Sequence, residues 1–442
     1  MMANTRLRSG FLFFLLPLLS TAAIAQDSTK ILSLDEAVNA ALANNSQIRI
    51  ARADEKIAQA KFKQTDAVFM PQVSFSYAAM TTNNPLNAFG FKLQQQVIKQ
   101  SDFNPDLLNK PGNTGDFVTK LDVLQPIVNP DHWFMRKGAQ KQIELYQLQT
   151  QRGEDFIRFE TEKAYLQLNL VYESVKVLEE ALATTKALYT FTNNRYEQGL
   201  LQKSDLLNVQ VQVTAMEAHL ATAKNNIRNA SDYIGFLMGM QTGIIYETTE
   251  SRKAEGSAMT DSLPLNRADF KAMKAAIEAT DLMIQSNKKS YLPRLNAFGT
   301  YQLNDKSMLG FGSNAYLAGL QLSWDIFKGM RTKNTIATQV AEKNKLAHQL
   351  DDQVAQGQLA LNKARRDLAD AEFTIRQREA AVAQAEEAFR ILNNRYQQGL
   401  VNTTDVLMAQ TQLSQQKLQL AQASYNRQVT ISHIALLTTT SR

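Results

Sequence analysis

The segment Asn193-Asn194-Arg195-Tyr196-Glu197-Gln198-Gly199-Leu200 recurs as Asn393-Asn394-Arg395-Tyr396-Gln397-Gln398-Gly399-Leu400. At the same offset Asp205, Leu207, Gln210 and Gln212 meet Asp405, Leu407, Gln410 and Gln412. A second echo lies upstream of each copy. Phe69-Met70-Pro71-Gln72-Val73 resembles Tyr291-Leu292-Pro293-Arg294-Leu295, each closing a helical stretch and opening an alternating one. The first half is longer in one place only: residues 81–115 read as a long loop containing Asn, Pro and Gly, residues 305–314 as a short one. Such a chain is two copies of one long unit, not a string of independent domains.

Each unit reads as helix, strand, loop, strand, very long helix, tight turn, helix. Ser33 and Glu36 form a capping box that opens a helix over 34–66, and Pro71 ends it because its ring removes a donor. In the second unit Asn266 is expected to cap the matching helix and Pro293 to stop it. The strands alternate. Val73, Phe75, Tyr77 and Ala79 share a face, as do Phe117, Thr119, Leu121 and Val123. In the fourth strand the apolar series runs Tyr316, Ala318, Leu320, Leu322, Trp324, Ile326, while Phe298 blurs the third. This pattern fits a half-buried soluble sheet or a membrane barrel with apolar residues outward.

The long helices keep a 3.5-residue seam. From Ile336 it passes through Val340, Ala347, Leu350, Val354, Leu361, Ala364 and Leu368 to Tyr396, and Lys343, Gly357 and Arg378 are its exceptions. In the first unit Ala164, Leu168, Val171, Val175, Leu178, Leu182 and Tyr189 keep the same step. A sustained 3.5 period means coiled-coil packing. About 60 residues at ~1.5 Å each give rods of ~90 Å, three times the hydrocarbon thickness of a bilayer. The shorter helices, 34–66 with 205–239 and 266–290 with 405–438, are each about half a rod and can stack end to end beside it.

Residues 1–25 read as a secretory signal. Arg6 and Arg8 precede an apolar run from Phe11 to Leu19, and Ala23-Ile24-Ala25 offers cleavage before Gln26. The chain has no cysteine among its 442 residues, so disulfides, thiolate metal sites, cysteine nucleophiles and an acylated N-terminal cysteine are excluded. The four histidines lack ligand spacing, and no metal or cofactor is expected. A net charge of +6 spread over the whole chain is no nucleic-acid footprint.

Two hairpins cannot close a barrel, which needs about eight strands, and open edges are not tolerated in lipid. Strands that enter a membrane must therefore be pooled by several copies. Trp133 and Trp324 fall where a strand gives way to a rod and Tyr291 just before a strand, places that suit either an interfacial girdle or ordinary packing at a sheet–helix junction.

These residues resemble the TolC-like outer-membrane efflux channels over nearly all of 31–440. The likeness rests on the paired Arg-Tyr-x-x-Gly-Leu…Asp-x-Leu segments at 195–207 and 395–407. It rests also on the Pro71 and Pro293 junctions and on Gly319-Leu320-Gln321-Leu322-Ser323-Trp324. The resemblance implies an α+β membrane protein, a homotrimer whose twelve strands form one outer-membrane barrel continued by a coiled-coil periplasmic tunnel. It implies a signal peptide (1–25), a first repeat (26–240), an equatorial linker (241–265) and a second repeat (266–442). The partners it implies are a periplasmic adaptor and an inner-membrane transporter of RND, ABC or MFS type. Asp205 and Asp405 then ring the periplasmic mouth, with Arg195 and Tyr396 as latches and Gly199, Leu200, Gly399 and Leu400 as docking tips. Trp133, Tyr291 and Trp324 become interface aromatics.

As local statements, Gly199 and Gly399 are left-handed C-caps, and Ser204 or Asp205, and Thr404 or Asp405, cap the next helix. A periplasmic adaptor would need one hairpin, not two, and a coiled-coil tether would not need four strands. No nucleophile elbow, phosphate loop or acid–base cluster points to an enzyme.

Overall fold

A computed structural model describes residues 29–249 and 262–441; the signal-like segment 1–25 and part of the 241–265 linker lie outside them. The first unit runs β1 (Thr29–Leu32), α1 (Leu34–Asn44), α2 (Ser46–Gln64), β2 (Gln72–Thr82), α3 (Pro85–Gln94), α4 (Pro105–Asn109), β3 (Thr114–Val128), α5 (Pro130–Glu197), α6 (Lys203–Leu237) and β4 (Ile245–Thr248). The second runs α7 (Ala268–Lys289), β5 (Arg294–Asp305), β6 (Ser313–Ser323), α8 (Arg331–Gln397) and α9 (Thr403–Thr438).

The two hairpins join into one antiparallel sheet of order β2-β3-β5-β6. The helices keep that order. Next to the sheet α2, α5, α7 and α8 lie abreast, and farther along α6 and α9 take the places of α2 and α7. Four strands thus pass into four helices without a change of neighbours. The rods hold 68 and 67 residues, about 100 Å each at ~1.5 Å per residue.

The pairing register settles the two faces of the sheet. Val73, Phe75, Val123, Leu121, Tyr301 and Leu320 share the apolar one. The other carries Ser74, Ser76, Lys120, Asp122, Thr300 and Gln302, with Asp122 accepting from Thr300 Oγ1 at 2.6 Å and paired with Lys120 at 3.0 Å. Phe298 breaks the alternation for a reason: its ring lies over Gly319 on β6, where a Cβ would come within 3.1 Å of it. An aromatic ring thereby covers a residue that has no side chain to pack.

Several expectations are corrected. The helix over 34–66 is broken at Asn45, whose side chain caps α2 through Gln47 N (2.9 Å) and donates to Leu237 O at the end of α6 (2.9 Å). The short helices do meet end to end, so closely that a Cβ on Gly239 (φ +66°) would lie 2.6 Å from Asn44 O. In the second unit Arg267, not Asn266, stands before α7, and its guanidinium joins Asp269 and Leu437 O while Asn266 O accepts from Ser441 N. β6 ends at Ser323, so Trp324 and Ile326 lie beyond it. The long loop is no plain loop, since Asn84-Pro85 and Asn104-Pro105 each start a helix, with the asparagine accepting the first amides.

The parallel pair β1–β4 lies outside the expected pattern altogether. It rests on α5, where Tyr165 Oη donates to Leu32 O (3.0 Å) and Tyr172 Oη to Tyr246 O (2.9 Å). Leu32, Tyr165, Leu168, Ile234, Leu237 and Tyr246 form the core beneath it. The seam exceptions on α8 are each answered by a neighbour. Lys343 pairs with Asp281 of α7 (2.5 Å), Gly357 admits Leu263 and Phe270, and Arg378 donates to Gln416 and Gln419 of α9.

Candidate functional site

Each rod ends in the same turn. Gly199 (φ +73°) and Gly399 (φ +78°) take the left-handed conformation, and Leu200 N and Leu400 N reach back to Arg195 O and Arg395 O at 2.9 Å. This is a Schellman cap, which satisfies carbonyls the helix leaves open. The caps of the returning helices differ from expectation: Gln202 and Asn402 occupy the N-cap positions. Asp205 and Asp405 sit three residues later and accept the amides of Gln202 (3.2 Å) and Asn402 (3.4 Å), reaching backward as an acidic N3 residue does. Asp205 is half-buried and Asp405 exposed; Leu200 and Leu400 are exposed.

The two turns are fastened to each other. Tyr396, 2% exposed, places its hydroxyl 2.9 Å from both Thr192 Oγ1 and Thr403 Oγ1. Its ring lies 5.4 Å from Phe191, with Leu188, Val209 and Val406 completing the cluster. Arg195 stacks over Phe191 at 5.0 Å and donates to Gln397 O at 2.9 Å. A Cβ on Gly399 would come within 3.1 Å of that guanidinium. Arg195 and Tyr396 are therefore brought together and tie α5 to α8 and α9 of the same chain.

Thr192, Thr403 and Phe191 are missed by a reading of the repeat alone. The signal was present where the copies disagree: Thr192 answers Leu392, and Thr403 answers Lys203. Hydroxyls stand only on the side where a tyrosine is buried.

At the opposite end of the rods Trp324 Nε1 donates to Tyr291 O at 2.9 Å, while Trp133 lies in the first turn of α5. All three sit where strands become helices. Asp131 accepts from Arg294, and Arg136 pairs with Asp66, pinning β5 and the turn that follows α2 to the start of α5. Among the described residues no helix is long and apolar enough to cross a membrane, and no group of three or more His, Asp or Glu is placed to hold a metal.

A family model described as "Outer membrane efflux protein" matches residues 37–240 and 260–439. The outer membrane protein TolC of Salmonella enteritidis is 20% identical over 401 residues, covering 86% of this chain and 77% of that one. The proteases secretion protein PrtF of Dickeya chrysanthemi is 19% identical over 412 residues, 90% of this chain and 86% of that one. Among solved structures, CusC superposes with a TM-score of 0.78 at 15% identity, covering 92% of each chain.

Proposed function

Because this chain belongs to the outer membrane efflux protein family, we propose that three copies pool their strands into one twelve-stranded barrel and that their helices continue it as a tunnel through the periplasm. The chain is an outer-membrane channel protein and not an enzyme. The observation that carries the proposal is a pair of unlike edges. β2 bounds the sheet on one side and β6 on the other, with no further strand beside either among the described residues. The helical layer has the same limits, α2 and α6 on the β2 side and α8 on the β6 side. Unlike edges join head to tail, and a rotation that closes makes a ring. A ring leaves no strand edge bare in lipid.

In this reading the conduit is passive and serves a periplasmic adaptor and an inner-membrane transporter of RND, ABC or MFS type, which supplies the energy. The likeness to a protein named for protease secretion keeps type I secretion beside drug or ion efflux as the service it performs. The signal segment is removed after Ala25 and the protein is not lipidated. Trp133, Tyr291 and Trp324 mark the periplasmic membrane boundary, and the Gly199-Leu200 and Gly399-Leu400 turns dock the adaptor. Asp205 and Asp405 from all copies converge at the mouth, where their summed field draws cations.

Purified protein in planar lipid is expected to conduct as a crosslinkable trimer; material that stays single-copy and silent overturns the reading. Asp405→Ala is expected to lower cation selectivity, and unchanged selectivity removes the acidic ring while leaving the channel. Gly199→Leu or Gly399→Leu is expected to impair efflux with trimers intact, and normal efflux removes the docking role.

A further inference from the structure

The one insertion that distinguishes the two hairpins is a folded unit. Asn84 caps α3, Asn104 caps α4, Phe89 meets Phe103 edge-on at 5.7 Å, and Lys92 pairs with Asp102 at 2.9 Å. It connects β2 to β3 at the end of the sheet away from the rods. If the rods are periplasmic, that end is the cell exterior.

The unit does not simply stand above the rim. Asp116 and Asn304 lie on the polar face of the sheet, in register with Lys120, Asp122 and Gln302. Asp116 is fully buried, and each of its oxygens is engaged: Oδ1 accepts from Gln95 Nε2 and Oδ2 from Asn304 Nδ2, both at 2.8 Å. Gln95 donates to Gly115 O as well (2.8 Å), and Ser313 Oγ on β6 donates to Gln94 O at 2.6 Å. Gln302 Nε2 donates to Asn304 Oδ1 (2.7 Å), which turns the Asn304 amide toward the carboxylate. Gln94 and Gln95, at the end of α3, are thus bonded directly to β6 and β3, and through Asp116 to Asn304 of β5, on the face that points into a closed barrel. A buried carboxylate oxygen left without a donor keeps the full cost of its lost hydration, so donors on both oxygens are what let this carboxylate be buried. The sheet supplies one donor and the inserted unit the other.

We propose that Gln95, Asp116, Asn304 and Ser313 form a clasp that seats the 83–113 unit on the lumenal side of the outer rim, so that this unit sets the aperture through which cargo leaves. The inference rests on the barrel reading above. Around the ring, hairpins that carry the unit alternate with hairpins closed by the short 306–312 turn. Three inward units therefore narrow the exit without touching the periplasmic mouth. Their mutual bonds and paired aromatics let each unit leave the lumen whole, as a hinged piece.

The chain has no native cysteine, so Ala88→Cys on the buried side of α3 is a unique reporter. Its reaction with a membrane-impermeant maleimide on intact cells is expected to be slow. Adding Asp116→Ala should raise the rate by about tenfold or more, as loss of buried hydrogen bonds shifts a local opening equilibrium. In planar lipid the same substitution should admit larger neutral polyethylene glycols from the outer side while leaving exclusion from the periplasmic side unchanged. Gln95→Ala breaks the clasp from the unit's side without altering a strand, and serves if Asp116→Ala fails to assemble. Labelling that stays slow in a clasp variant overturns the proposal, and so does faster labelling with an unchanged polymer limit. Unmodified protein that does not conduct overturns the barrel reading itself, a separate outcome.

Discussion

The rods α5 and α8 have nearly the same length, the same seam and the same terminal turn, yet they live in different surroundings. Buried positions follow α5 from Asp131 to Thr192, because α2, α6, α7 and α9 of its own chain enclose it. On α8 they are confined to Gly357, Leu361, Ala364, Leu368 and Tyr396. The turns repeat the contrast, with Tyr396 at 2% exposure and its twin Tyr196 at 36%. The same turn and seam are placed unequally, and among the described residues nothing of the chain gives α8 and Tyr196 the cover that α5 and Tyr396 have. A neighbouring copy fits that need, since it carries the complementary edge.

The contrast breaks most sharply in the core. Leu168→Ala on α5 is expected to cost ~2–5 kcal/mol of subunit stability, read by denaturant unfolding. Leu359→Ala on α8, at 67% exposure, should leave the subunit unchanged and loosen only the assembled oligomer, read by resistance to dissociation in detergent. Equal losses in the two unfolding curves would dismiss the contrast. Next comes the tyrosine pair. Tyr396→Phe removes both threonine bonds and should cost about 1–3 kcal/mol, whereas Tyr196→Phe should cost a few tenths or less. Smaller again is the glycine pair. Gly199→Ala meets open space and pays only for its left-handed backbone, ~1 kcal/mol, while Gly399→Ala also presses on Arg195 and should cost more.

A final difference is one of pH. Burial pushes the Glu162 carboxyl on α5 above its ordinary range, against a hydrogen bond from Ser432 that lowers it; the matching residue on α8 is Asn362. The folded chain therefore binds this proton more tightly than the unfolded one. The contribution to stability is present at acid pH and lost as pH rises through the raised value. Glu162→Gln should stabilise the protein at neutral and alkaline pH, with the gain fading on acidification in melting curves taken across that range. A gain independent of pH would mean that the carboxyl is not the cause.

Periodicity makes the rods, the turns and the four strands legible in the sequence, because each is a long local pattern. The end-to-end stacking of the short helices followed from their lengths. What escaped was settled by contacts distant in sequence. β1 and β4 are four-residue strands that pair across most of the first unit, so neither carries a signal of its own. The break at Asn45 depends on Leu237 O waiting for its amide. The helices inside the first hairpin were announced by two Asn-Pro steps, but their polar surroundings read as loop. The repeat offers Arg and Tyr in both copies, so Arg195 and Tyr396 come from the family resemblance, whereas Thr192 and Thr403 stand only where the repeat fails.

The unlike edges of the sheet and helical layer have a genetic consequence. Each member of a ring supplies a share of one continuous wall, so a damaged member is not diluted by sound ones beside it. In a cell expressing both forms, most rings would include at least one defective copy. Mutations that spare assembly but spoil the lumen should therefore act dominantly, whereas those that prevent joining should be silent.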